Sequence, residues 1–498
     1  MSKYYLRVDA LNLKNFVYDT NDISTIRGGS FILMEAIKSL RDKFKNELDA
    51  ISTAASMGTF LVKKDDPTKS DLQEIESEVL KHLANYCEEH ATFVLAIEPE
   101  AKEGFAMTLQ KLEAQIHRQQ WRLPTVAIPE AGNTDSECHV DGWRPGVEEY
   151  RVDPAVTNAK MSAATCHRRK LGRRLKHNLL PSLVGQEDGF DEKKDICTKD
   201  LGKLSQHTGK GILNGKIAFI HADGNSFGKI RNDKCHSRGD RTKFDEIIKT
   251  DFHAHFLEIL LERARSEADF KTEDEYGQEA LRLEVLLWGG DEMTLIVPAW
   301  KAWQTVELFF EKSKHLTFNK VPLTHRMAVI FCHHNAPILQ IRQLAEKLLT
   351  QTKQDTKSFA SHAEGDALHY LALESFDMLQ GEFEDFLKRY YRKINYEKLL
   401  LHATDLGTIK EVLQLFHQNV ARSKLFKLIS ALQSDRVSEM EKIKEKIIAE
   451  VKERIDDLWK DETETQLKKL EAVDEFTENH PACWYVVADL WDYISEWK

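Results

Sequence analysis

The chain is short of several things. Its 498 residues include only 11 prolines and 23 glycines. That excludes collagen-like and proline-rich extended classes. The seven cysteines (Cys87, Cys138, Cys166, Cys197, Cys235, Cys332 and Cys483) are odd in number, irregularly spaced and form no CxxC pair. A disulfide framework is not expected; a reducing compartment is. No apolar run reaches the roughly 18 residues that cross a bilayer, and mean hydropathy is −0.47. The opening MSKYYLRVDALNL has neither the basic start nor the apolar stretch of a secretory signal. Net positive charge is missing too. Lys and Arg number 70 against 81 Asp and Glu, which leaves −11. A general basic coat for nucleic acid is excluded, although a local basic patch is not. These absences leave a cytoplasmic, multidomain chain with no membrane partner.

What is present is ordinary globular material. Hydrophobic residues make up 42% and charged residues 30%, which argues against wholesale disorder. Along the first 130 residues, strand-like and helix-like stretches alternate. YYLRVDALNL, GTFLVKKDD, ATFVLAIEP and LPTVAIPEAG read as strands. Amphipathic runs at Leu33–Leu48, Glu74–His90 and Leu109–Gln120 read as helices. The order suggests a ferredoxin-like βαββαβ unit.

Residues 131–205 differ in character. AGNTDSECHVDGWRPG is turn-rich, RRKLGRRLK from Arg168 to Lys176 is strongly basic, and EDGFDEKKD is acidic and glycine-interrupted. The basic run is either a solvated helix face or a phosphate-facing patch. Cys138-His139 and Cys166-His167 supply two Cys and two His that could make a tetrahedral zinc site. Adjacent side chains diverge, however, and zinc knuckles leave two to four residues between paired ligands. Free thiols and surface histidines are the plainer reading.

From Gly211 a second βαββαβ-like order follows. KIAFIHADGN is a buried strand that ends in an acidic turn. LEVLLWGGDEMTLIVP is two apolar strands around a Gly-Gly-Asp-Glu hairpin turn. In a ferredoxin-like sheet the first strand and the central hairpin are neighbours, so Asp223 and Asp291 should meet at one sheet end. Two carboxylates there suit one or two divalent cations, and magnesium commonly pairs such acids with substrate phosphates. Gly224 and Gly228 let the backbone approach phosphate oxygens. Each motif also has a plain reading as a turn; the pairing of the two carries the functional one. Lys353, near the end of AEKLLTQTK, is within reach of a triphosphate if its helix flanks the site, and is otherwise a surface lysine. Beyond about residue 380 no convincing strand remains, and segments such as ARSKLFKLISAL and EKIKEKIIAEVKERIDDLW have helical periodicity.

HADGNSFGKI, LLWGGDEMTLIV and AEKLLTQTKQ together resemble the nucleotide-cyclase palm of GGDEF diguanylate cyclases. They resemble still more the large polymerase-cyclase subunit of type III CRISPR effector complexes. The interval from Asp223 to Asp291 is 291 − 223 = 68 residues, longer than a compact diguanylate cyclase usually allows. The resemblance implies an α+β fold of two ferredoxin-like palms. A degenerate first palm covers 1–130, a connector with a zinc-finger remnant 131–205, a catalytic palm 206–380 and an all-helical domain 381–498. It implies synthesis of cyclic oligonucleotides, usually from ATP, with Mg2+ or Mn2+ held by Asp223, Asp291 and the backbone of Ala222. Glu292 matches the second acid of the turn. Gly224, Asn225, Ser226, Phe227, Gly228, Gly289, Gly290 and Lys353 match nucleotide-binding positions. RNA and small effector-complex subunits are the implied partners. The chain departs from the family pattern in three places. Asp-Glu replaces the usual Asp-Asp after the glycines, Asn225 stands where Asp is frequent, and the four-cysteine connector pattern is mostly gone. No nuclease domain is expected ahead of the first palm, and the first hairpin, SMGTF, lacks an acidic turn. A non-catalytic scaffold subunit and a diguanylate cyclase relative remain the alternatives.

Overall fold

The computed structural model describes residues 3–53, 56–88, 90–123, 136–151, 159–184, 197–198, 200–274, 277–355, 365–374, 383–391, 399–434, 437–458 and 483–494. The strand expected over 123–132 lies outside them from residue 124 onward, as does the acidic segment 187–195.

The N-terminal unit runs β1 (Tyr4–Ala10), α1 (Leu13–Val17), α2 (Ile23–Lys43), β2 (Leu48–Ser52), β3 (Met57–Val62), α3 (Lys69–Tyr86), β4 (Phe93–Pro99) and α4 (Phe105–Gln120). The strands form one sheet in the order β2-β3-β1-β4, with β1 antiparallel to both neighbours. This is βαββαβ connectivity. The period of two along β1 explains why it is central. Leu6 and Val8 join the core under α2 and α3, while Tyr5 points to the other face and packs with Phe105, Leu112 and Ile116 of α4. Helix α2 begins ten residues earlier than the amphipathic pattern suggests. Asp22 accepts the Thr25 amide at 2.8 Å as its N-cap. IRGGSF, two glycines and all, therefore lies inside the helix, and Leu48 opens β2 instead of closing α2.

The glycines in α2 have a reason. In the connector, strands β5 (Val147–Arg151) and β6 (Lys160–Met161) precede α5 (Ala163–Val184), which packs along α2. A Cβ on Gly28 would lie 1.8 Å from the Arg168 carbonyl oxygen, and one on Gly172 would lie 1.8 Å from that of Ser24. The two backbones touch where side chains are absent. The same contact decides the basic run. Arg168 is fully buried and binds both oxygens of Asp19 at 2.9 Å, and Arg169 reaches Asp22 at 3.2 Å. Arg168 and Arg169 are thus neither a solvated face nor a phosphate patch; Lys170, Arg173 and Arg174 are exposed.

The second unit follows α6 (Leu201–Ser205). It contains β7 (Lys216–Gly224), α7 (Phe227–Lys234), α8 (Arg238–Glu246), a π-helical stretch (Ile247–Ala254) and α9 (His255–Ser266). After the small pair β8 (Lys271–Glu273) and β9 (Glu279–Leu281) come β10 (Glu284–Gly289), β11 (Glu292–Pro298) and α10 (Ala302–Ser313). A second small pair, β12 (Thr317–Phe318) and β13 (Val321–Pro322), leads to β14 (His325–His333), α11 (Ile338–Asp355), β15 (Ala367–Ala372) and β16 (Leu401–His402). The sheet order is β10-β11-β7-β14-β15-β16. Its first four strands repeat the order of the N-terminal sheet. β15 adds in parallel to β14, and β16 pairs with β15. The sheet thus extends past residue 380, into the segment expected to be entirely helical. Among the described residues, what remains at the C-terminal end is a 3-10 turn (Ala403–Asp405) and helices Phe383–Tyr391, Leu406–Asn419, Arg422–Gln433, Val437–Leu458 and Cys483–Leu490. The whole is a mixed α/β molecule. Among the described residues no helix is long and apolar enough to cross a membrane.

The two units share contacts at several points. Arg27 of α2 donates Nε to Glu284 of β10 at 2.7 Å and Nη1 to the Gly172 carbonyl at 2.9 Å, with both side chains of the ion pair buried.

Candidate active site

Strand β7 is buried along its length and delivers Asp223 to its C-terminal end. There the chain turns into α7. Gly224 lies against the ring of Phe227, where a Cβ would come within 2.6 Å of ring carbons. Phe227 is itself pinned in a small core with Phe244, Ile248 and Phe318. Ser226 adopts a left-handed conformation (φ 58°) ahead of α7, and it and Gly228 are exposed. Asn225 turns away from the opening. Its amide nitrogen donates to Thr324 Oγ1 at 3.0 Å and to the Gly365 carbonyl at 2.7 Å, which ties the loop to β14 and β15. Phe227 and Asn225 thus build the loop, while Ser226 and Gly228 face outward.

The β10–β11 hairpin brings the other acids. Gly289 pairs with Glu292, so Gly290 and Asp291 are the two turn residues. Gly290 takes φ 62°, the positive angle that favours glycine at the first central position of a tight hairpin. Met293 pairs with Ala222 across β11 and β7, so Glu292 and Asp291 fall at the same sheet end as Asp223. That proximity has an electrostatic consequence. Burial, then the charge of Asp223, pushes the Asp291 carboxyl up to about 6. Glu292 keeps an exposed edge, yet burial and the charges of Asp223 and Asp291 raise its carboxyl to about 7. Burial also raises Asp223, against the opposing pull of Arg326 and Lys353.

Three of the expected groups thus converge with Lys353 in electrostatic range, and an unexpected one joins them. Arg326 stands opposite Asp223 in the β14–β7 pair, binds its carboxylate, and donates to Asn225 Oδ1 at 3.2 Å. Its signal in the sequence is an arginine at the head of the otherwise apolar RMAVIF. Two cavities flank the hairpin. One, of about 130 Å³ beside Asp291, also touches Met57, Gly228, Arg231 and Lys249. The other, of about 200 Å³ beside Gly289 and Glu292, is walled by Lys14, Tyr18 and Arg342. The Arg342 guanidinium sits 3.4 Å from the centre of the Tyr18 ring. Both cavities take walls from both units. Asp223, Asp291 and Glu292 offer hard oxygen donors, and the repulsion and burial that raise the last two are what a divalent cation would relieve, so the residues fit Mg2+ or Mn2+. Among the described residues, no group of three or more His, Cys, Asp or Glu meets the geometry of a formed metal site.

The zinc candidates are divided. Cys138 and Cys166 share a small buried cluster with Met161. His167 turns instead to Glu88, 2.8 Å away, and His139 is exposed.

No family model and no curated protein matches the chain. Solved structures do. Csm1 in T. onnurineus is 13% identical with a TM-score of 0.47, over 87% of this chain and 62% of that one. A Csm1–Csm4 cassette in complex with cA4 is 12% identical at 0.46, over 83% and 62%. A Csm1–Csm4 cassette in complex with AMPPNP is 12% identical at 0.46, over 71% and 53%. The chain therefore spans between about half and three fifths of the length of the solved chains it is similar to.

Proposed function

We propose that the chain is a metal-dependent nucleotidyltransferase that makes cyclic oligonucleotides from nucleoside triphosphates, with ATP the expected substrate, in type III CRISPR-like defence. One observation carries this reading: Asp223, Asp291 and Glu292 converge at one sheet end, and each has a raised carboxyl pKa. On this reading the two sheets are two palms, the second catalytic and the first a structural or substrate-binding partner. Asp223, Asp291 and the Ala222 carbonyl would hold Mg2+ or Mn2+. Such a cation, when bound, lowers the pKa of an attacking hydroxyl and offsets charge on departing pyrophosphate. The chain's own groups do the positioning. Arg326 fixes the Asp223 carboxylate. Lys353 carries positive charge toward the triphosphate. Gly224 and Gly290 shape the two turns between which the α-phosphate lies. A 2′- or 3′-hydroxyl of one nucleotide attacks that phosphorus, the P–O bond to pyrophosphate breaks, and the ring closes in a final transfer of the same kind.

The test is incubation with each nucleoside triphosphate and Mg2+ or Mn2+, with products identified by mass and pyrophosphate release followed. Asp291→Asn should abolish release while circular dichroism stays unchanged; full activity in that variant sinks the assignment. A guanine product would identify a diguanylate cyclase relative instead. A second reading, a non-catalytic scaffold of an RNA-guided complex, is favoured by the Asp223–Arg326 pair, which already gives one acid a fixed cation. It predicts no product from any nucleotide, and co-purifying RNA and small subunits.

A further inference from the structure

A further cavity, of about 820 Å³, lies away from the acidic hairpin. Asp366, which heads β15, borders it, and β7 and β14 stand between β15 and the hairpin in the sheet order. One wall comes from α9 and α10, the other from the start of the C-terminal helix Leu406–Asn419. Pockets that enclose a whole small ligand run to roughly 300–1,000 Å³, so this one has room for a complete molecule. Its floor is apolar, with Leu308, Phe310 and Leu406. Formal charges in the lining nearly balance, so the sign of a ligand follows from which groups are already matched. Lys410 pairs with Glu307 at 3.2 Å, and Glu311 pairs with Lys312 at 3.2 Å. Burial holds the Asp366 carboxyl at about 7, so at neutral pH it carries only part of a negative charge. Half-buried Arg263 and exposed Lys314 have no side-chain partner among the described residues. Two unmatched cations over an apolar floor favour an anion with an apolar body.

Asp366 ties this cavity to the sheet. Its backbone carbonyl accepts the amide of Ala403, a wall residue, at 2.9 Å. Its carboxylate accepts the His325 amide at 2.6 Å. The next residue, Arg326, binds the Asp223 carboxylate. Gly365, just before Asp366, accepts the Asn225 side-chain amide at 2.7 Å. A short run of hydrogen bonds thus leads from the cavity wall to the acid at the end of β7.

We propose that this cavity is an effector site for an organic anion with an apolar body, held by Arg263 and Lys314 over Leu308, Phe310 and Leu406, and that its occupant steadies the Asp366–His325 bond behind Arg326. Binding and its transmission to His325 stand apart from the nucleotide reading above; only an effect on turnover rests on it.

The probe is 8-anilinonaphthalene-1-sulfonate, titrated into the full chain and followed by fluorescence. It should bind saturably, and the uncharged N-phenyl-1-naphthylamine should bind at least about tenfold more weakly, the size expected of one charged hydrogen bond. Arg263→Ala should weaken the sulfonate by a similar factor and Lys314→Ala several-fold; neither side chain has a partner to lose, so the fold should stand. Gly407 lines the cavity, and a Cβ there would meet nothing within 4 Å. Gly407→Trp should therefore block the probe with an unchanged melting temperature. With the probe bound, amide hydrogen exchange over residues 323–327 should slow several-fold, and in Gly407→Trp the probe should leave it unchanged. No saturable binding, equal affinity for the charged and uncharged probes, or unchanged exchange at 323–327 in the wild type overturns the proposal. The two readings fail separately. Slower exchange on probe binding, without turnover of any nucleotide, removes the catalytic reading and keeps the effector site. Turnover with none of the probe's effects removes the effector site and keeps the catalytic reading.

Discussion

Asp366 shows how much one residue can set. It is 2% exposed ahead of β15 and accepts the His325 amide at 2.6 Å. Burial holds its carboxyl at about 7 against an ordinary 3.8. Between about pH 4 and 7 the folded chain keeps this proton and the unfolded chain has lost it, so stability falls as pH rises through that window. Asp366→Asn keeps the acceptor and removes the charge. Urea denaturation of the variant should show a flatter stability–pH profile there; an unchanged slope would assign the proton elsewhere. Gly224→Ala makes the opposite point, because it adds an atom where the Phe227 ring already stands. It should cost about 1–3 kcal/mol by overpacking, read by the same denaturation, and lower nucleotide affinity. At this scale the sequence is legible where chemistry follows local pattern. Asp223 and Asp291 are acids at turns after apolar strands, and both are found at one sheet end. Arg326 is illegible because its importance lies in a partner 103 residues away. Asn225 reads as a nucleotide contact but hydrogen-bonds to Thr324 and Gly365, which only the sheet brings near.

Among the elements, α2 and α5 depend most on absence. Gly28 and Gly172 let the helices meet backbone to backbone, and backbone cannot give way as a flexible side chain can. Gly28→Ala should therefore lower the melting temperature strongly, with a loss at or above the roughly 3 kcal/mol end of overpacking costs, whereas Gly228→Ala, in open space, should be close to neutral for folding. The helix runs and the apolar strands are legible from periodicity. The helix containing IRGGSF is not, because two glycines read locally as a break and only the partner helix makes them useful. β15 and β16 escape for another reason: ALHYLA lacks a clear alternation, its parallel partner is set by the whole sheet, and β16 is only two residues long.

At the scale of the molecule, two units of the same strand order meet through a buried ion pair. Arg27→Met leaves Glu284 buried without its cation and should cost about 3–5 kcal/mol, while the double variant Arg27→Met/Glu284→Leu should recover most of it. Chemical denaturation of the two separates them; equal losses would place the energy in packing alone. The repeated order is legible as two alternations of strand and helix. The interface is not, since Arg27 and Glu284 are 257 residues apart.

The same arrangement has a bearing on solubility. A sheet's outer strands present unpaired backbone, an invitation to edge-to-edge association. Here β10, at one edge, has α2 of the other unit packed against it, and β16, at the opposite edge, is two residues long. One edge is guarded by a neighbour and the other by brevity. Loosening α2 would uncover the guarded one, so Arg27→Met should scatter light on mild heating well before it loses its helices.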